Sequence, residues 1–296
     1  MRIYLVAGFI LFLIFIWFGA GYWSVEVVTR PNRTAVSLPE EMNVYHIENI
    51  VLTTVDSLKI AGSFIRPATL DSSGTVVILL APLRGNRTNL AQRARFYLTH
   101  GYATLLIDLR STGESEGEFP SFGWHEVEDL MAAVNFVRQQ PGIKSISLHG
   151  ISAGAATICY ALPRLDSLKF IVLESCYDRM AHAYLNRINM RFNLPAIIFY
   201  PVEFFAQRKF DNHFYQMNPI DYVNRIKCPV FVIAGGAEKR VQPAETLAIY
   251  QQIKSPKMIW LVDGLEHVDF FNVKPIEFEW KLSAFLTEFK FIQGGS

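Results

Sequence analysis

The sequence predicts an α/β protein: a mostly parallel central sheet with helices on both faces and a helical cap insertion. Three observations predict it. Thr75 to Leu80 is a continuous apolar run, the pattern of a strand buried on both faces. Strand-like and helix-like segments alternate along the chain, and such alternation calls for parallel strands joined by crossover helices. Gly150-Ile151-Ser152-Ala153-Gly154 lies between a strand-like run and a helix-like run, where a sharp turn would leave a serine exposed. A chain of 296 residues suits one large core.

Composition narrows the functional classes. A net charge of +1 without a basic run gives no electrostatic reason for a nucleic-acid partner. Cys159, Cys176 and Cys228 lack metal or redox spacing and read as small apolar core residues. The seven histidines are scattered, so no zinc cluster is expected.

Ile3 to Trp23 carries no charge over 21 residues. As a helix it would extend about 32 Å, against a hydrocarbon layer of about 30 Å. Trp17, Tyr22 and Trp23 stand near its outgoing end, where interfacial aromatics belong. Residues 1–24 are therefore expected as a single-pass membrane anchor, with a cleaved signal segment as the rival reading. Arg2 faces Arg30 and Arg33 across this segment, so the flanking charges leave the side of the membrane open. Residues 25–42 read as a linker and 43–296 as the folded domain.

Within that domain, Val44 to Leu52 and Leu58 to Ile65 read as antiparallel strands around a turn at Asp56-Ser57. The Thr75–Leu80 strand leads through a loop to a helix from about Asn89 to His100, stopped by Gly101. Tyr102 to Leu109 is the next buried strand. Val127, Leu130, Met131, Val134 and Val137 recur at helical spacing until Pro141-Gly142. Lys144 to His149 is a strand and Ala155 to Leu162 a helix. Further strands fall at Phe170–Leu173, Val230–Ala234 and Met258–Val262, before a closing helix from about Pro275 to Phe291.

The glycines flanking Ser152 remove Cβ atoms that a sharp strand-to-helix turn has no room for. The serine hydroxyl then stands at a helix N-terminus, where N–H groups favour developing negative charge. This order of elements around Gly150-x-Ser152-x-Gly154 resembles the α/β-hydrolase superfamily. Asp108-Leu109-Arg110-Ser111-Thr112-Gly113-Glu114-Ser115-Glu116-Gly117 is similar to the D-x-R-G-x-G-x-S-x-G stretch of many of its esterases and peptidases, with Ser111 in the place of a glycine. The resemblance covers about Asn43 to Phe291.

It implies a triad in the order serine, acid, histidine. Ser152 is the expected nucleophile. His267 directly follows the last strand, where the family places its base; His182 and His213 fall elsewhere and read as surface or lid residues. The family's aspartate slot after the penultimate strand is filled by Glu238, which also offers the imidazole an anionic acceptor. Glu174 is the reserve acid, and a solvated Glu238-Lys239-Arg240 is the alternative for that run. The oxyanion-hole donors are expected to be the N–H groups of Ala153 and Leu83, the latter in Ala81-Pro82-Leu83 where the family carries His-Gly-x, with Arg84 as fallback.

The insertion at about 177–222 is expected to form the cap. It is rich in aromatics: Tyr184, Phe192, Phe199, Tyr200, Phe204, Phe205, Phe210, Phe214 and Tyr215. Such a lid suits an apolar acyl group as well as plain packing. The resemblance implies a serine hydrolase acting on a small-molecule or lipid-like acyl ester, or an amide, without metal or organic cofactor. A serine peptidase and a non-catalytic membrane-bound binding protein remain the alternatives, since fold does not imply activity.

Overall fold

A computed structural model of the protein describes residues 2–71, 73–190 and 195–292. A 27-residue helix, α1 (Arg2–Val28), precedes the antiparallel hairpin of β1 (His46–Thr53) and β2 (Lys59–Arg66). Then follow β3 (Thr75–Leu80), α2 (Ala91–Thr99), β4 (Ala103–Ile107), α3 (Val127–Arg138), β5 (Ser145–Ile151), α4 (Ala153–Ala161) and β6 (Leu168–Glu174). An insertion holding α5 (Met180–Asn189) and α6 (Tyr200–Lys209) separates β6 from β7 (Val230–Gly235). The chain closes with α7 (Pro243–Gln252), β8 (Lys257–Val262), α8 (Phe270–Val273) and α9 (Pro275–Glu288).

The strands form one sheet in the order β1-β2-β4-β3-β5-β6-β7-β8, antiparallel through β1, β2 and β4 and parallel from there on. Strand pleating sends alternate side chains to opposite faces. Val76, Ile78 and Leu80 of β3 join the core beneath α3 and α4, while Val77 and Leu79 join the core beneath α2 and α9. Apolar runs without alternation are what two covered faces require. The parallel strands all end at the same edge, where the loops after β3, β5, β7 and β8 meet.

Element by element, the sequence expectations differ mainly at the ends. The Tyr102 strand stops at Ile107; Asp108 N–H still donates to Ala61 O of β2 at 2.9 Å, while its carboxylate organises the following loop. The helix after the Ser152 turn begins at Ala153, two residues earlier than its composition suggests. Helix α7 has no clear signature in the sequence, because few of its residues face the core, Thr246 and Ile249 among them. The buried state of Cys159, Cys176 and Cys228 agrees with their reading as apolar residues.

The N-terminal segments are integrated with the body. Helix α1 crosses α6 at Gly21, where a Cβ would come within 2.5 Å of Pro201 Cβ, and Val25 is buried in the core. Phe18 and Tyr22 stand edge-on to Phe205, and Lys209 Nζ pairs with Glu26 at 2.6 Å. The expected linker is hydrogen-bonded onto the body as well. Asn32 N–H donates to Ser111 O (2.9 Å), Gly113 N–H to Asn32 O (3.2 Å) and Thr34 N–H to Gly113 O (3.1 Å).

Candidate active site

The Ser152 turn is tight because two glycines let backbone approach backbone. A Cβ on Gly150 would lie 2.5 Å from the Gly154 carbonyl, and one on Gly154 would lie 2.5 Å from Leu80 O. Ser152 itself takes φ 53° and ψ −110°, a sparsely populated conformation for a side-chain-bearing residue. Its N–H donates to Glu174 O at 2.7 Å, so the neighbouring β6 holds the strained residue in place. Ala153 is the first residue of α4 and its N–H therefore lacks an intrahelical acceptor.

On the other side of the edge, the loops after β7 and β8 are laced together. Gly236 N–H donates to Val262 O (2.8 Å) and Ala237 N–H to Leu265 O (3.0 Å). Gly235 packs against the Leu265 and Glu266 carbonyls, where no Cβ would fit. This lacing brings Glu238 to His267: Glu238 Oε1 and His267 Nδ1 are hydrogen-bonded. Glu238 is only 2% exposed, which removes it from the class of solvated surface charges. Its second oxygen accepts from Ser175 Oγ at 3.1 Å. Ser175 was not singled out in the sequence. It lies one residue beyond β6 at φ 46°, and no local motif marks it.

Ser152 and His267 stand at the ends of β5 and β8, and no hydrogen bond joins their side chains among the described residues.

The reserve acid is placed differently. Glu174 receives Arg93 Nε (2.6 Å) and Nη2 (2.8 Å), and it pairs with His149 Nε2 at 2.5 Å. Burial by itself would raise this carboxyl, but the Arg93 charge and the hydrogen bonds from Arg93 and His149 outweigh it and hold the group at about 2. Burial lowers His149 and favours its neutral form. Asp269 completes the cluster through Arg93 Nη2 at 3.0 Å. Arg93 and His149 saturate Glu174 beneath the sheet edge, and His267 is not among its partners.

The loop after β3 forms a turn in which Gly85 N–H donates to Pro82 O at 2.8 Å and Arg84 has φ 64°. The Leu83 N–H has no acceptor among the described residues. Asn32 Nδ2 donates to Arg84 O at 2.6 Å, so the N-terminal segment braces this turn.

The loop after β4 acts as a clamp. Asp108 accepts from the backbone N–H groups of Arg87 (2.8 Å) and Glu114 (3.0 Å), and from Arg87 Nε (3.1 Å). Arg110 Nη2 bonds Asp129 at 2.8 Å, and Ser115 Oγ donates to Asp108 O at 2.6 Å. Ser111 adopts φ 62°, the left-handed region that favours glycine, so the residue that departs from the motif keeps its backbone conformation.

Most aromatics of the insertion between β6 and β7 serve packing. Phe204 and Phe205 meet Phe18, Phe210 meets Phe119 and Phe122, and Phe214 meets Tyr184. Phe192 lies outside the described residues. Among the described residues, Asp178, His182 and Glu245 form a grouping with metal-ligand donors, all within 4.8 Å of one another. His182, expected as a surface or lid residue, here bonds Asp178 through Nδ1 at 2.9 Å.

A sheet of this topology, with a strained serine after β5 and an acid–histidine pair after β7 and β8, defines an α/β-hydrolase fold. The chain belongs to the X-Pro dipeptidyl-peptidase (S15) family, which matches residues 42–198. Protein YqkD of Bacillus subtilis is 23% identical over 249 residues, 82% of this chain and 80% of that protein. A thiohydrolase, aneE of Aspergillus aculeatus, is 33% identical over 109 residues, 35% of this chain and 33% of its own. Among solved structures, the Pyrococcus furiosus esterase Pf2001 shares the fold with a TM-score of 0.73 at 24% identity, over 90% of this chain and 99% of that one.

Proposed function

We propose that this protein is a serine hydrolase that cleaves a carboxylic ester of a small-molecule or lipid-like acyl substrate, held at a membrane by α1. The observation that carries the reading is the hydrogen bond from a buried Glu238 to His267 at the same sheet edge as the strained Ser152. His267 takes the Oγ proton as Ser152 Oγ adds to the carbonyl carbon, and Glu238, which stays ionised, accepts a hydrogen bond from Nδ1–H and stabilises the imidazolium. The Leu83 and Ala153 N–H groups receive the oxyanion; each such donor is worth about 3 kcal/mol in the transition state. The tetrahedral intermediate collapses, His267 gives its proton to the leaving oxygen, and a water deprotonated by His267 then hydrolyses the acyl-enzyme. The insertion between β6 and β7 is the cap of this site, and residues 43–296 are the catalytic domain.

Family membership favours amide bonds as a second substrate class for the same serine. Labelling with a fluorophosphonate probe tests both together. The wild-type chain should be labelled, and Ser152→Ala should be folded and unlabelled. An unlabelled wild type would point to a binding protein instead, and a panel of matched esters and anilides would separate esterase from peptidase.

A further inference from the structure

Helix α1 is too firmly held at its outgoing end to cross a membrane clear of the body. A hydrocarbon layer of about 30 Å takes about 20 helical residues, which counted from Ile3 ends at Tyr22. Yet the cap grips α1 from Trp17 onward: Trp17 Nε1 donates to Ile198 O at 2.5 Å, and Phe18 stacks edge-on against Tyr200, Phe204 and Phe205. Roughly five or six residues of α1, about 8 Å, therefore lie both within the layer and against the cap.

Protein surface at that depth must be apolar, and the end of the insertion that reaches deepest along α1 is. Ile197 is 69% exposed, Ile198 42% and Tyr200 48%, on the short turn leading into α6 and at its first residue. Helix α6 runs alongside α1 in the same sense, with Phe18 opposite Tyr200 and Glu26 opposite Lys209. Polarity rises along both helices together. Glu203 accepts from Tyr215 Oη at 2.6 Å, Arg208 lies over the Phe204 ring at 3.8 Å, and the Glu26–Lys209 pair comes one turn beyond Tyr22. Long basic side chains at that level reach toward headgroups.

We propose that the Ile197–Tyr200 edge of the cap is a lipid-docking surface, embedded in the leaflet from which α1 emerges. It rests on α1 being an uncleaved anchor. The cap then sits against lipid, and the hydrolase works on a membrane surface.

Depth-dependent quenching tests this on the full chain reconstituted in phosphatidylcholine vesicles containing doxyl-labelled lipid. Phe9→Cys, Ile197→Cys, Ile198→Cys and Val51→Cys are each labelled with bimane; the native cysteines are buried. Phe9 reports the anchor and Val51, on the exposed strand β1, reports solvent. Labels at Phe9, Ile197 and Ile198 should be quenched by doxyl lipid, and the label at Val51 should not. Quenching at Phe9 with Ile197 and Ile198 behaving like Val51 would overturn the docking surface and leave the anchor standing. No quenching at Phe9 would remove the anchor and the docking surface together.

Discussion

Replacing Glu238 by Gln probes the proposed triad most directly. The side chain is 2% exposed and uses both oxygens, one toward His267 Nδ1 and the other toward Ser175 Oγ. Gln keeps that shape. Its oxygen can face His267 while its NH2 group faces the Ser175 hydroxyl, which can accept in place of donating. What is lost is the negative charge beside the imidazolium that forms as Ser152 gives up its proton. At about 4 Å and an effective dielectric near 20 that charge is worth about 4 kcal/mol. At about 1.4 kcal/mol per decade, kcat should fall about a thousandfold. KM should hardly move, because Glu238 touches His267 and Ser175 rather than substrate. The assay is initial-rate hydrolysis of p-nitrophenyl butyrate, with circular dichroism confirming the fold. Glu174→Gln is the comparison. It removes the bidentate partner of a buried Arg93, leaving only Asp269 to it, so its effect belongs in the unfolding midpoint and not in kcat per folded molecule. A Glu238→Gln enzyme within about threefold of wild-type kcat would refute the reasoning.

The depressed Glu174 carboxyl makes stability acid-sensitive. Its folded value of about 2 lies below the ordinary 4.5, so its contribution, about 3 kcal/mol, is present above pH 4.5 and is lost as pH falls through 2. Urea unfolding between pH 5 and pH 2 should show that slope in wild type and lose that part in Glu174→Gln; equal slopes would contradict it. A chain beginning at Thr34 lacks Val25, Asn32 and the Phe18 and Tyr22 rings that cover Phe205, and should melt lower and associate through α6. Thermal melts and light scattering check this, and an unchanged Tm with a monomeric chain would count against the packing role. Along p-nitrophenyl esters from acetyl to octanoyl, kcat/KM should rise with chain length, each buried methylene contributing up to about 0.8 kcal/mol. A flat series would argue against an apolar acyl pocket under the cap.

Local patterning determined a great deal. A run such as Thr75–Leu80, a short apolar run between turn signals, reads as a strand covered on both faces, because two-sided burial needs no polar alternation. Gly150 and Gly154 announced a backbone approach that a Cβ would block, and the structure puts Leu80 O and Gly154 at those distances. The order of the loops, and so the positions of Ser152, Glu238 and His267 at one sheet edge, follows from the alternation of elements and the rule that parallel strands end together.

Tertiary structure decided what depends on groups far apart in the chain. Nothing near Glu174 shows that Arg93, 81 residues away, and His149 would occupy it, leaving Glu238 beside His267. Nothing in the polar run 30–41 shows that Asn32 would pair with the Ser111–Gly113 loop and brace the turn at Arg84. The aromatic insertion read as a lid, yet Phe204 and Phe205 meet a helix some 180 residues earlier. Hydrophobic pattern is a property of short windows, whereas pairing of charges and packing of rings is a property of which surfaces the sheet brings together. The first was legible in the sequence, and the second existed only once the chain had closed on itself.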